Sequence, residues 1–231
     1  MKKMPLWVLA LASLSFASGP HIVRSHYIAL GLDASFTQGD MDGKGYVETN
    51  DDEDAKERVY IPNLSTFLIP NIEIGANINQ HTIAVSFGMW KPSVGYAEDT
   101  TFATEKEANY WRASVEYRYN FFWPERFQLA LGLAYSFARL EVKGSVIGHD
   151  QYGNEEIGNE EIGNAIHSGN GIAPSFTIHY LVTDNIGVDL ALRYRFLSFG
   201  SVSTPDNGFC SLDKSLYQHF GELGMKLFYQ F

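Results

Sequence analysis

Nine ionisable side chains recur at alternate positions in segments whose remaining positions are mostly large and apolar: Asp33, Glu73, Arg112, Glu116, Arg118, Asp189, Arg193, Arg195 and Lys226. Carboxylates and guanidiniums gathered on one face have two uses. They can line a conducting path, or neutralise one another as a packed network where water is scarce. The lone Cys210 excludes an intrachain disulfide. The formal charge of −10 excludes attraction to nucleic acid or to an anionic surface.

The element that brings every second residue to one face is the β-strand. Alternation predicts eight strands, over residues 27–36, 68–78, 82–89, 111–121, 127–137, 172–182, 186–196 and 222–231. The fourth is the cleanest: Trp111, Ala113, Val115, Tyr117, Tyr119 and Phe121 oppose Arg112, Ser114, Glu116, Arg118 and Asn120. Short links follow the even strands, at Asn79 to His81, Trp123 to Glu125 and Thr183 to Asn185. Long polar stretches follow the odd ones: Gln38 to Tyr60, Trp90 to Asn109, Glu141 to Gly171 and Gly200 to Lys214. An even number of strands with alternating short turns and long loops is the up-and-down plan of a transmembrane β-barrel. Beyond the first residues there is no apolar run long enough for a spanning helix, and a mean hydropathy of −0.15 suits strands that are greasy at every second position only. An eight-stranded interior holds little more than side chains, so the small and charged face turns inward and the bulky face outward. Aromatic residues crowd both ends of the strands, as rings do at headgroup level. Pro70 and Pro174 fall on the lipid-facing parity, where a missing amide has no free edge to excuse it, and predict rim bulges or strands that start later.

Lys2 and Lys3, an apolar run from Leu6 to Phe16 and the small residues Ala17, Ser18 and Gly19 have the order of a secretory signal peptide. The expected organisation is a signal over residues 1–19 and one barrel domain over residues 20–231, in the outer membrane of a diderm bacterium. The last strand sets Leu223, Met225, Leu227, Tyr229 and Phe231 against Glu222, Gly224, Lys226, Phe228 and Gln230, the pattern needed to close against the first strand.

With this topology, the terminal Tyr229 and Phe231, and the stretch from Asn185 to Tyr194, the chain resembles the small outer-membrane barrels of the OmpA transmembrane domain and OmpX type. In that family's assembly signal a Gly stands five residues before the final Phe. Here Lys226 occupies that place and Gly224 lies two residues earlier. The resemblance implies an outer-membrane barrel, with membrane lipid, the barrel assembly machinery and periplasmic chaperones as partners.

Barrel lipid A deacylases are similar in size and use a lipid-facing His with a Ser two residues on. Two residues after His219 stands Gly221, and His167 with Ser168 falls in a stretch read as loop, so neither matches. Asp40, Asp42, Gly45, Val47, Glu48 and Asp51 fall at places one, three, six, eight, nine and twelve of a calcium-loop template, although Lys44 takes the fifth. They suggest a Ca²⁺ site at Asp40, Asp42, Glu48 and Asp51. Gly153 to Ile157 is repeated at once as Gly158 to Ile162, which reads as a flexible surface insertion. The expectation is an eight-stranded antiparallel outer-membrane barrel without cofactor or catalysis, a scaffold whose four long loops offer contact to an extracellular ligand. The alternatives are a narrow channel for small ions or solutes and a lipid-modifying enzyme.

Overall fold

The computed structural model describes residues 24–49, 57–95, 106–122, 126–149, 159–204 and 208–231. The signal peptide expected over residues 1–19 lies outside them, as do Trp123 and Asp51. Twelve strands run in the order β1 (Arg24–Gly39), β2 (Tyr46–Glu48), β3 (Glu57–Tyr60), β4 (Asn63–Leu64), β5 (Phe67–Ile78), β6 (His81–Trp90), β7 (Ser93–Gly95), β8 (Lys106–Phe121), β9 (Phe127–His149), β10 (Asn159–Leu181), β11 (Ile186–Thr204) and β12 (Gly208–Gln230).

Eight of these form the wall. β1 pairs with β5, and the antiparallel ladder continues through β6, β8, β9, β10, β11 and β12, which pairs back onto β1 from Tyr27↔Gln230 to Gly39↔Gln218. The ring is closed. At the seam, the amides of His26 and Phe231 each donate to the other's carbonyl, at 3.1 and 2.8 Å. The connections at one end are tight: Asn79 adopts the left-handed φ of 55° that a two-residue hairpin requires, and Thr183 Oγ1 accepts the amides of Asn185 and Ile186.

Exposure is inverted relative to a soluble barrel. Leu30, Ile74, Leu131, Leu192 and Leu227 stand outside in the open, Leu192 at 61 %, whereas Glu222 inside is 1 % exposed. Aromatic side chains ring this greasy band: Tyr117, Phe121, Phe127, Tyr180 and Tyr229 at the turn end, Phe36, Phe87, Trp90, Phe137 and Tyr217 at the loop end. A closed ladder with an apolar outer face lets the wall pair its backbone groups internally while standing in hydrocarbon, as a transmembrane β-barrel must.

The long connections depart from the loops read in the sequence. β9 to β12 run well past the greasy band, so that much of 141–171 and 200–214 is strand. The second copy of the five-residue repeat lies largely on β10, from Asn159 to Ile162; the first falls outside the described residues. In the first connection β2 and β3 form a hairpin whose Glu57 to Val59 pair with Ile147 to His149 of β9. β9 stands across the ring from β1, so this hairpin crosses the mouth of the barrel. It also covers the edge that β9 exposes above Val142, where β8 ceases to pair.

The prolines interrupt ladders without the bulges expected of them. β10 starts before Pro174 and holds its pairing with β9 through it; pairing with β11 skips from Ile172↔Phe196 to Ser175↔Arg193 with the register unchanged. β5 passes through Pro70 on β1, while its ladder to β6 begins only at Asn71.

Above the band, the phase of the apolar alternation reverses. On β11, Leu192, Tyr194 and Phe196 face out and Leu197 and Phe199 face in; on β9, Tyr135 and Phe137 face out and Ala138, Leu140 and Val142 face in. The inward set packs with Phe67, Ile69, Tyr110, Leu216 and Phe220 and with Met41, Val47, Val59 and Ile61 of the first connection into one apolar core. Phe199→Ala should therefore remove about 3–5 kcal/mol from this cap. We expect faster proteinase K cleavage of the outer connections in the refolded variant, while the heat-shifted gel mobility of the folded barrel persists.

Candidate functional site

Below the apolar cap, at membrane depth, the lumen is filled by ions. The structure places all nine side chains singled out in the sequence on the inner face, buried, and adds a tenth, Glu222. With it the described inner face carries Arg112, Arg118, Arg193, Arg195 and Lys226 against Asp33, Glu73, Glu116, Asp189 and Glu222, equal in number and opposite in sign. Glu222 lies on the same alternation as Lys226, so strand parity alone was enough to find it.

The ten groups form one connected path. Arg195 binds Glu222 at 3.0 Å through Nη2 and 3.1 Å through Nε, and reaches the paired hydroxyls of Ser114 and Ser136. Glu222 also accepts from Arg112, whose Nη2 donates to Asp33 at 2.9 Å. Arg193 links the outer and inner halves, with Asp33 at 3.3 Å and Glu116 at 3.6 Å. Arg118 is the inner hub, beside Glu73, Glu116 and Asp189, and Lys226 completes the shell of Glu73. Tyr27 donates to Glu73 at 2.7 Å, Ser175 donates to Glu116 at 2.6 Å, and His179 Nδ1 lies 2.6 Å from Asp189. These partners fill lone pairs that pairing among the ten groups alone would leave open.

Glycines make room for the network. A Cβ on Gly224 would stand 2.3 Å from Asp33 Oδ1, and one on Gly132 would stand 2.4 Å from Ser175 Oγ and 2.9 Å from Glu116 Oε1. What space remains toward the turn end, between Tyr27, Arg118, His179 and Asp189, is a cavity of about 10 Å³. That is room for about one water.

The histidines separate in kind. His219 lies on the outer face with Nδ1 2.8 Å from the Tyr194 hydroxyl and its ring against Phe196. His167, read in the sequence as loop, is a fully buried strand residue paired to Leu140 and Val202 in the cap, and neither ring nitrogen has a hydrogen-bond partner. Burial among apolar groups holds its pKa down at about 4. No sequence pattern distinguishes such a His from one in a solvated loop.

The described members of the calcium-loop pattern, Asp40, Asp42 and Glu48, do not converge, and Asp51 lies outside the described residues. Asp40 accepts the amide of Tyr217 at 2.9 Å, Asp42 accepts that of Lys44, and Glu48 pairs with Arg58 at 3.2 Å. Among the described residues no three His, Cys, Asp or Glu side chains share a point suited to a metal ion. Tyr229 and Phe231 stand exposed on the outer face beside the closing seam, their rings stacked.

Glu222→Gln strips Arg112 and Arg195 of their shared carboxylate and should cost about 3–5 kcal/mol. Urea unfolding in detergent reads this against Arg126→Ala, which breaks an exposed 3.8 Å pair with Asp184 and should leave the midpoint unchanged. His167→Leu should stabilise the cap by about 1–3 kcal/mol, since it removes a polar ring that nothing satisfies. In the unfolded chain His167 takes up a proton near pH 6.5, but in the cap only near pH 4, so the unfolded state binds more protons between them. Cap stability is therefore intact above pH 6.5 and falls as pH drops toward 4; hydrogen exchange across β10 should show that loss in the parent and not in His167→Leu.

No protein-family model matches the chain, and no curated protein does. Among solved structures it is similar to the Neisserial surface protein A, with 16 % identity over 87 % of this chain and 95 % of the other at a TM-score of 0.44. It is also similar to Ail, the attachment invasion locus protein of Yersinia pestis, with 15 % identity, 90 % and 98 % coverage and a TM-score of 0.43. A major outer membrane protein from Thermus thermophilus gives 9 % identity, 89 % and 99 % coverage and a TM-score of 0.48. The closed eight-stranded ladder, its apolar exterior between two aromatic rings and its neutralised interior make this chain a small transmembrane β-barrel.

Proposed function

We propose that this protein is a non-conducting, non-catalytic scaffold that holds a structured cap at the cell surface for contact with an extracellular partner. The observation that supports this best is that the first connection folds back across the mouth and packs into the apolar core above the ion network. Pairing the ions already fills an eight-stranded lumen. A second, apolar layer built from strand extensions does more than fill it, because it gives the surface a fixed shape. On that cap Tyr46 and Phe209 present exposed rings suited to contact, as binding residues on a rigid support often do.

Catalysis is left out of this reading because neither candidate histidine is equipped for it. His167 is sealed from solvent, and His219 is bonded to Tyr194, with Gly221 where a serine nucleophile would be needed. Calcium at Asp40, Asp42, Glu48 and Asp51 is likewise outside it, since the first three already bind protein groups.

Planar-bilayer recording of refolded, heat-modifiable protein tests the scaffold reading. Silence is the expected result, both for the parent and after Arg118→Ala. Steady discrete openings that change with Arg118→Ala would overturn it in favour of a channel through the charged lumen.

A further inference from the structure

Above the membrane the sheet closes a second time. β9 to β12 continue as one sheet, β3 pairs with β9, and Thr49 after β2 bridges to Leu212 of β12, so the β2–β3 hairpin completes a ring around the cap core. This ring has a loose seam. β12 leaves β1 at Gly39↔Gln218 and bridges the segment after β2 at Leu212, while its pairing with β11 skips from Leu216↔Phe199 to Ser211↔Ser201. Asp213 to Ser215 therefore have no ladder partner on either side. Opposite them the first connection loops out, between Asp40, whose amide donates to the Tyr217 carbonyl, and Glu48, whose amide donates to Asp213 Oδ1 at 3.2 Å.

Loop and seam enclose a pocket of about 250 Å³ on the surface of the cap. Val47, Ile61 and Leu216 of the cap core give it an apolar floor, and Asp42, Lys44, Tyr46 and Lys214 stand around it. Tyr46 is held in place by groups that do not line the pocket. Arg58 stands over its ring at 4.9 Å, Tyr60 meets it edge-on at 6.3 Å, and Glu48 holds Arg58 at 3.2 Å. Asp42 is fixed through Oδ1, which accepts the Lys44 amide at 2.9 Å, and its Oδ2 lies 3.7 Å from Lys44 Nζ. Lys214 is exposed and has no ion pair among the described residues. With Asp40, which also lines the pocket, two carboxylates face two ammonium groups.

We propose that this pocket binds one uncharged sugar ring of a glycan. Its balanced charges exert no net pull on an ion. Asp42 and Lys44 stand side by side, so an acceptor and a donor are offered together, and a hydroxyl, which is both, is the group that uses them. A sugar carries hydroxyls around its edge and a C–H face across its ring. That face lies on the Tyr46 ring and the apolar floor, while the hydroxyls meet Asp42, Lys44 and Lys214. The volume lies below the range of pockets for drug-sized ligands and has room for about one such ring. Because Tyr46 and Asp42 are held before any ligand arrives, binding has little side-chain freedom to remove. The proposal rests on the scaffold reading and names the chemistry of its partner. Sugars of the leaflet's own glycolipid and of a glycan from outside share that chemistry.

The test is saturation-transfer NMR on the refolded full barrel in nanodiscs of deuterated phosphatidylglycerol, with the methyl glycosides of glucose, galactose and mannose as probes. Transfer to the ring protons of at least one of them is expected, with a Kd on the order of 1 mM. Tyr46→Ala should weaken it roughly tenfold, whereas Tyr46→Phe, which keeps the ring, should bind as the parent does. Tyr46→Ala also releases Arg58, so Lys214→Met, which breaks no ion pair, is the second variant; it should keep the parent's heat-shifted mobility and weaken binding several-fold. Competition by the core oligosaccharide released from lipopolysaccharide identifies the leaflet's glycolipid as the source, and binding indifferent to it identifies a glycan from outside. Transfer to none of the three glycosides, equal binding by the parent, Tyr46→Ala and Lys214→Met, or tighter binding of methyl glucuronide or phosphocholine overturns the proposal. A barrel that binds no sugar yet stays silent in planar bilayers removes this proposal alone and leaves the scaffold reading standing.

Discussion

An unpaired backbone amide in hydrocarbon costs several kcal/mol, and the rest of this structure depends on avoiding that cost. It requires a ladder that returns to its start, which is why β12 pairs with β1 over most of β1, from Tyr27 to Gly39. Closing with eight strands fixes an interior about as wide as the side chains that point into it. Every polar group placed there must then find its partner there. Glycines such as Gly132 and Gly224 stand where arginines and carboxylates meet, because the space of one methyl group decides whether they can.

The ion network is a consequence of that enclosure more than a source of stability. Buried ion pairs roughly return their desolvation cost when geometry and hydrogen bonding are complete, and leave a severe penalty when one member is missing. Equal numbers of cations and carboxylates, with Tyr27, Ser175 and His179 on the remaining lone pairs, are what completion looks like here. Such a network specifies one arrangement of the strands around it, because a register slip would turn its members outward into lipid.

Past the outer aromatic ring the solvent changes from hydrocarbon to water, and the strands respond by exchanging faces. Leu197 and Phe199 turn inward directly after Phe196 has faced out. The cap they build is an ordinary apolar core on a membrane barrel, and it can tolerate what the membrane region cannot. The end of the β5–β6 ladder beside Pro70 sits at the boundary between the two regimes, with wall ladder below it and the small β4–β7 pairing above.

The membrane region of the fold was legible in the sequence because hydrocarbon outside and ions inside impose opposite demands on successive residues, and strand geometry writes them at alternate positions. Eight strands, their order and their inward charges follow from that period; Glu222 follows from it too, on the same face as Lys226. The loop end was not legible in this way. The same period continues with its phase reversed, so 141–171 and 200–214 read as long polar loops although all of their described residues lie in strands. Nor does alternation carry the pairing of Glu57 with His149, the isolation of His167 or the unpaired amide of Asn71. Those depend on which strands stop pairing and which connection folds over them. By itself the sequence determined which face of each strand meets lipid, because that is a local property of alternate residues. The tertiary structure alone decided that the mouth is closed and that the β5–β6 ladder stops beside Pro70, because contacts between residues far apart in the chain leave no periodic trace in it.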